Sequence, residues 1–409
     1  MVISVFSKFQ QRADVLAKLA CVALYFLFPI SVAGANVSML VVLVAGLLAG
    51  QYRQRWDAVR GNPIVLASLG LYAWMVVGIA YSPASWPDVT QHLGKYFKLV
   101  FLVLVMSLLM DAKWRRRCWG AFTAAMLFTL ACTYANIWID QPWSRTQNQG
   151  WGVDHTVFKD YISQGIMMSM LVLIALSQTL SSKRPMRWRL AWAGVALLAV
   201  LSITHLSYGR TGYVALAAAL GAFALLAMKG RSRWLVLAGV GLVAVVLVYS
   251  SGGLRDRIAL AVQEARTSHQ EDLTSIGQRL YFAEKTWGLI QEKPVLGWGT
   301  GAYHEQFCRV ATTPVWCDAG KFHPHNQLLF IWVEHGLIGF GLLLILILLP
   351  IFCVRGAAGG IAVLAGGFSG IFLVGSVTHA SLWLSTESHF YTLMQVLVGL
   401  LVYAHPRKV

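Results

Sequence analysis

The sequence predicts an all-α polytopic membrane protein of about twelve transmembrane helices, with one helical segment outside the bilayer. Three observations predict it. Of 409 residues, 57% are hydrophobic and 12% charged, too apolar for a soluble globule and too long for one or two anchors. Apolar stretches of the ~17 to 25 residues that cross a hydrocarbon core recur along the whole chain. The clusters of Lys and Arg fall on alternate connections between those stretches.

Taken in order, the spans read near 14–33, 34–50, 62–81, 95–111, 117–137, 158–180, 189–206, 211–228 and 233–250, then near 326–353, 359–376 and 388–404. The first stretch lacks a small-residue cleavage site and runs directly into a second span, so it reads as a retained helix rather than a signal peptide. Arg53/Arg55/Arg60, Lys113/Arg115/Arg116/Arg117, Lys183/Arg184/Arg187/Arg189, Lys229/Arg231/Arg233 and Arg407/Lys408 all fall on one side of a twelve-span chain. The positive-inside rule makes that side cytoplasmic and puts both termini there. The net charge of +16 is therefore mostly topological. No stripe of cations interleaved with aromatic residues sits on a soluble domain, which argues against nucleic acid as a partner.

Three regions follow: 1–250 with nine spans, 251–325 as an outer segment, and 326–409 with the last three spans. The outer segment shows helical spacing at Leu254, Ile258, Ala261 and Val262, and again at Leu280, Ala283, Trp287 and Ile290. Pro294 ends the second helix, Gly297, Gly299 and Gly301 make a flexible turn, and a short helix is expected from Tyr303 to Arg309. This is too little apolar mass to fold alone, so the segment should rest on the membrane domain as a cap. Cys308 and Cys317 lie in it, where oxidation is permitted, and their spacing predicts a disulfide. The other four cysteines lie in or beside spans and read as buried thiols. No repeat of fixed period is visible, which weakens a carrier built from duplicated halves.

Four spans should begin at the outer face with a basic residue or histidine in the first turn: Lys95/Lys98, Lys159, Arg210 and His323/His325. A helix N-terminus already carries partial positive charge, so cations gathered there call for an anion such as phosphate. Arg210 stands in Ser207-Tyr208-Gly209-Arg210-Thr211-Gly212, where two glycines allow close approach to a ligand and the guanidinium offers a planar fork for phosphate oxygens. Its competing role is to snorkel at the headgroup boundary, and the same holds for Lys95 and Lys98. Arg279 lies beside the apolar stripe of its helix, where it either reaches down from the cap or pairs at the surface. His325, in His323-Pro324-His325-Asn326, is held at the membrane surface, where an imidazole with a pKa near 6.5 can take a proton. A metal at His323/His325 competes with that reading, but no further ligands accompany them at recognisable spacing. Glu334 and His335 lie deeper in the same span, where Glu334 reads as a buried structural partner to a basic residue of a neighbouring helix. The outer region has no Asp-x-Asp, and no phosphate-loop, dinucleotide or nucleophile-elbow motif occurs where it would work. Energy for a bond made on that side must come from an activated lipid.

Residues 207–339 resemble the O-antigen ligase and polymerase superfamily, the ligase branch in particular. The resemblance rests on Ser207-Tyr208-Gly209-Arg210-Thr211-Gly212-Tyr213, on Arg279 with Trp287 and Pro294-Val295-Leu296-Gly297-Trp298-Gly299-Thr300-Gly301, and on His325-Asn326 followed by Gly336-Leu337-Ile338-Gly339. It implies a fold of the lipid-linked (GT-C type) glycosyltransferases in the bacterial inner membrane, with a periplasmic active site and neither metal nor other cofactor. The implied donor is O-antigen on undecaprenyl pyrophosphate, and the implied acceptor is a sugar hydroxyl of lipid A-core. The implied catalytic residues are Arg210, Arg279 and His325, with Lys95, Lys98, Lys159, Tyr208 and His323 as pyrophosphate contacts. A polymerase or a protein O-oligosaccharyltransferase of the same superfamily is the alternative, and a lipid-linked oligosaccharide transporter is a third reading.

Overall fold

The computed structural model describes residues 2–181, 183–227, 230–267, 274–354 and 359–403, and among them every regular element is helical. The first half holds α1 (Val2–Leu27), α2 (Val32–Leu48), α3 (Tyr52–Val59), α4 (Pro63–Val77), α5 (Trp86–Tyr96), α6 (Lys98–Leu108) and α7 (Ala112–Ala135). Then come α8 (Tyr161–Thr179), α9 (Met186–His205), α10 (Arg210–Ala227) and α11 (Ser232–Ser250). The outer segment holds α12 (Gly252–Thr267), α13 (Ser275–Glu292), α14 (Tyr303–Val310) and α15 (Pro314–Gly320). The chain re-enters the bundle with α16 (Gln327–Cys353), α17 (Gly359–Thr378) and α18 (Ser385–Tyr403).

Each of the twelve expected spans falls on a helix. Nine described helices are long and apolar enough to cross a membrane, with α4 extended by a 3-10 turn to Tyr81 and α5 running on into α6. A tenth is added only if α2 and α3, bent by 114°, are taken together. The shortfall from twelve lies in α1 and α18, whose polar residues dilute their apolarity: Lys8, Arg12, Asp14 and Lys18 on the first, Glu387, His389 and Gln395 on the second. α18 is nonetheless buried along almost its whole length, packed among α2, α6, α8, α16 and α17, whereas α11 buries none of its residues. Polar side chains suit a helix walled in by protein and would be costly on one facing lipid.

The chain's alternation sets which ends meet. α8, α10, α16 and α18 begin at the end of the bundle where α7, α9 and α17 stop, so their N-termini share that end with the outer segment. These starts are written locally. Asp160 accepts from the N–H groups of Ile162 and Ser163 ahead of α8, and Asn326 accepts from Leu329 ahead of α16. α8 and α10 cross closely at glycines: a Cβ on Gly165 would stand 2.9 Å from Gly212 Cα, and one on Gly209 2.6 Å from the Tyr161 carbonyl.

The cap rests on this end. Its three expected helices are present, longer than the spacing suggested, and α15 is an addition that Thr313 and Pro314 start. The Cys308–Cys317 disulfide is formed and ties α14 to α15. The expected apolar stripe of α13 is rotated: Tyr281, Phe282, Thr286, Leu289 and Ile290 are buried, while Leu280 and Trp287 are exposed. The reason is aromatic packing, with Tyr281 stacked on Trp316 at 4.1 Å and Phe282 edge-on to Phe307 at 5.5 Å.

The glycine turn is also not the flexible joint expected. α16 breaks at Gly336 (φ 64, ψ −165), which frees carbonyls inside the bundle. The turn fills the break: Trp298 N–H donates to Val333 O at 2.9 Å, Gly299 N–H to Glu334 O at 2.8 Å, and Leu337 N–H to Pro294 O at 3.0 Å. Glu334 completes the graft. Its Oε1 accepts from Tyr303 N–H at 3.0 Å and its Oε2 lies 2.8 Å from Nδ1 of His92 on α5, the neighbouring-helix partner that the sequence suggested.

Candidate active site

Arg210 opens α10, and Gly209 lets it press against the start of α8. Its guanidinium makes a two-pronged contact with Glu264 of α12, at 2.9 and 3.3 Å. Glu264 was not singled out from sequence. The hydrogen bond from Arg210 holds its carboxyl below the ordinary range, against the opposing effect of burial. Arg279, on the first turns of α13, lies within reach of Arg210, Glu264 and Tyr161, and burial followed by Arg210 pulls its pKa down. Among the described residues it has no ion pair or hydrogen bond.

His325 stands just before the Asn326 cap with φ 52, a conformation few side chains other than glycine adopt. Its ring centroid lies 5.8 Å from that of Phe282 and 5.3 Å from that of His379, tilted 11° and 9° from them, and the two Nδ1 atoms of the histidines are 3.3 Å apart. His323 lies edge-on at 4.5 Å and its Nδ1 accepts from the His325 N–H. Burial lowers the pKa of His325 to about 4, with Arg279 the second cause. It lowers His379 to about 4, aided by His325 and Arg279, and His323 to about 3, aided by His325 and His379. The three imidazoles are thus neutral at pH 7. Arg279 bears on His325, His379 and Arg210 alike, and so joins residues from three separate stretches of chain.

The lysines form a second group. Lys95 does not open a helix as expected: Ser85 caps α5 well upstream, so Lys95 lies in its last turn, where the dipole favours a cation. Its Nζ lies 5.6 Å over the Trp383 ring, and its charge reaches His323. Lys98 does open α6, while Lys159 precedes the Asp160 cap. Both bear on the buried His389 of α18. Lys159 is 5% exposed, and burial brings its pKa to about 8 despite Glu387 and Asp160 nearby. Ser163 Oγ lies 2.6 Å from Glu387 Oε1 and 2.8 Å from Asp160 Oδ2, so its one proton serves one carboxylate at a time. Tyr208 lies under the Arg257 guanidinium at 4.7 Å.

Among the described residues, the set whose ligand atoms could meet on one ion is His92, Glu334 and His335, within 4.8 Å of one another. It belongs to the graft between α5, α16 and the glycine turn rather than to the cationic site. No carboxylate or thiol among the described residues joins the His323/His325 pair to complete a site.

The fold and site therefore define a polytopic helical membrane protein whose capped end gathers two arginines, three histidines and a lysine group. Residues 195–344, from α9 through the cap to the far side of the α16 break, match the family model described as O-Antigen ligase. The chain carries Arg210, Arg279, His323 and His325 within that matched segment. It is 26% identical over 168 residues to a Haemophilus influenzae protein described as uncharacterized, across 39% of this chain and 42% of that protein. The match thus spans about two fifths of the length of that curated relative.

Proposed function

We propose that this protein is an inverting, metal-independent glycosyltransferase that moves O-antigen polysaccharide from undecaprenyl pyrophosphate to a sugar hydroxyl of lipid A-core. The capped end then faces the periplasm, and both termini lie on the cytoplasmic side of the inner membrane. The observation that carries the reading is Arg279: a half-buried guanidinium without a described partner, flanked by the Arg210 fork on one side and by His325 on the other.

In this reading Arg210 and Arg279 hold the diphosphate and meet the charge that grows on it as the anomeric C–O bond breaks. Lys95, Lys98 and Lys159 add positive charge at the same depth, and His323 packs behind His325. His325 takes the proton of the acceptor hydroxyl as its oxygen attacks the anomeric carbon from the face opposite the leaving group, which inverts the configuration. The C–O electron pair departs with the undecaprenyl pyrophosphate. Two arginines make that a good leaving group, so the acid member of a glycosidase carboxylate pair is not needed. An imidazole with a pKa of about 4 is unprotonated but a weak base; a diphosphate alongside favours its charged form and strengthens it when the donor is present.

The test is reconstitution with lipid-linked glycan and rough lipopolysaccharide, comparing His325→Ala with the parent. The variant is expected to bind donor and to lose transfer. Parent-like turnover by the variant overturns the base assignment, and glycan extension on the lipid donor without lipopolysaccharide turns the reading to polymerisation.

A further inference from the structure

His379, which follows α17, is held in place by the first residue of α16. Gln327 is fully buried; its N–H donates to His379 O at 3.1 Å, its Oε1 accepts from Leu382 N–H at 2.8 Å, and its Nε2 donates to Tyr96 Oη at 2.6 Å. The His379 N–H in turn closes on Gly375 O at 2.9 Å. The backbone of His379 is thus pinned from both sides, its carbonyl by a residue only two positions along the chain from His325. The rings then lie within 9° of parallel with Nδ1 facing Nδ1 at 3.3 Å. Only one proton fits between two Nδ1 atoms. If His325 holds it, its Nε2 presents a lone pair; if His379 holds it, the neutral His325 carries its proton on Nε2 and has nothing there to accept with.

We propose that His379 is a positioning residue that accepts the Nδ1 proton of His325 and so holds that histidine in the tautomer whose Nε2 takes the acceptor's proton. This rests on the proposed role of His325. When His325 gains its second proton, the Nδ1–H bond to His379 becomes charge-assisted and shortens, so His379 stabilises the state that forms only during transfer. The charged and titratable groups around the pair are Arg279 on α13, His323 on the preceding segment, Lys95 on α5 and Asp160 at the start of α8. Arg279 opposes the new charge, and Asp160 and the donor's diphosphate favour it.

The test uses the full-length reconstituted protein with three variants. His379→Phe keeps a flat ring and removes the acceptor atom; it is expected to lower kcat at least ~10-fold, with donor affinity within about twofold of the parent. His379→Asn returns an acceptor and is expected to recover part of kcat. His379→Asp adds a negative charge and is expected to move the acid limb of the pH–rate profile upward relative to His379→Asn. Parent-like kcat in His379→Phe overturns the proposal, as does equal loss in all three variants with an unmoved acid limb, the result of a purely packing role. Should His379→Phe fail to fold, the comparison of Asn with Asp decides by the same limb. Turnover by His325→Ala would sink the function itself, whereas an inactive His325→Ala beside an active His379→Phe sinks only this inference.

Discussion

The fork of Arg210 is occupied by Glu264, and a diphosphate that needs the fork must take it from that carboxylate. The side chains are 21% and 12% exposed, so the pair is only weakly screened by solvent. A charge-assisted contact of this kind contributes ~1.5 to 3 kcal/mol net. The amide of Glu264→Gln keeps one accepting oxygen and loses the charge, giving up roughly half, about 1.5 kcal/mol. If donor binding displaces Glu264, that energy reappears as affinity, and the donor Kd of the variant should fall about 10-fold. The assay is donor titration of the reconstituted protein at fixed salt, with thermal unfolding run alongside to detect loss of the α12 anchor. Arg210→Lys gives the opposite control, since it keeps the charge and loses the fork. A Glu264→Gln protein that unfolds like the parent yet binds donor equally or more weakly refutes the displacement argument, and Glu264 then stays on Arg210 in the complex.

Stability should respond to acid through the three site histidines. Their folded pKa values of about 3 to 4 lie below the ordinary 6.5, so their contribution is complete above pH 6.5 and is lost as pH falls from there through about 4. Thermal unfolding between pH 7.5 and 4 checks this, and His379→Phe should flatten the slope; a slope unaltered by that change contradicts it. Gly336→Ala should prevent folding, because its Cβ would stand 2.0 Å from Val295 O at a φ of 64. Gly341→Ala on the same helix meets nothing within 4 Å and should unfold like the parent or up to ~1 kcal/mol better, which separates the break from general helix sensitivity.

What could be read from the sequence was local. Apolar length located a helix for each of the twelve expected stretches, nine of the described helices being long and apolar enough to cross a membrane. A period of 3.6 located α12 and α13, and the spacing of Cys308 and Cys317 gave their bond. What was missed depends on contacts between distant segments. Glu264 meets Arg210 and His379 meets His325, each across 54 positions of chain, and no spacing rule links such pairs. His92 was hidden for the same reason, although its partner Glu334 was recognisable as a buried acid needing a base. The α13 stripe was misread because that helix is apolar on two faces, and periodicity cannot say which one the Tyr281–Trp316 stack will claim. Lys95 was set at a helix start because the apolar run begins there, whereas Ser85, with Pro87 in the first turn, starts α5 earlier in polar sequence. The three glycines at 297, 299 and 301 look flexible in isolation, yet each has positive φ and sits against backbone that leaves no room for a Cβ.

That graft bears on the chemistry. A cap meant to swing freely would be joined to its bundle by side-chain contacts that break at small cost, but here backbone groups of the 294–303 turn complete the hydrogen bonds of a broken membrane helix. Opening that joint would strand buried N–H and C=O groups, at roughly 1 to 3 kcal/mol each. The fixed edge of the cap carries α13, and with it Arg279 and Phe282, the ring beside His325. Glu264 belongs to α12, which continues from α11 and meets α10 through the Arg210 contact. On the proposed function, displacing Glu264 would disturb α12 rather than α13. An arginine without a described partner beside one satisfied by a carboxylate costs stability, and on that same proposed function an anion bridging the two would offset the cost.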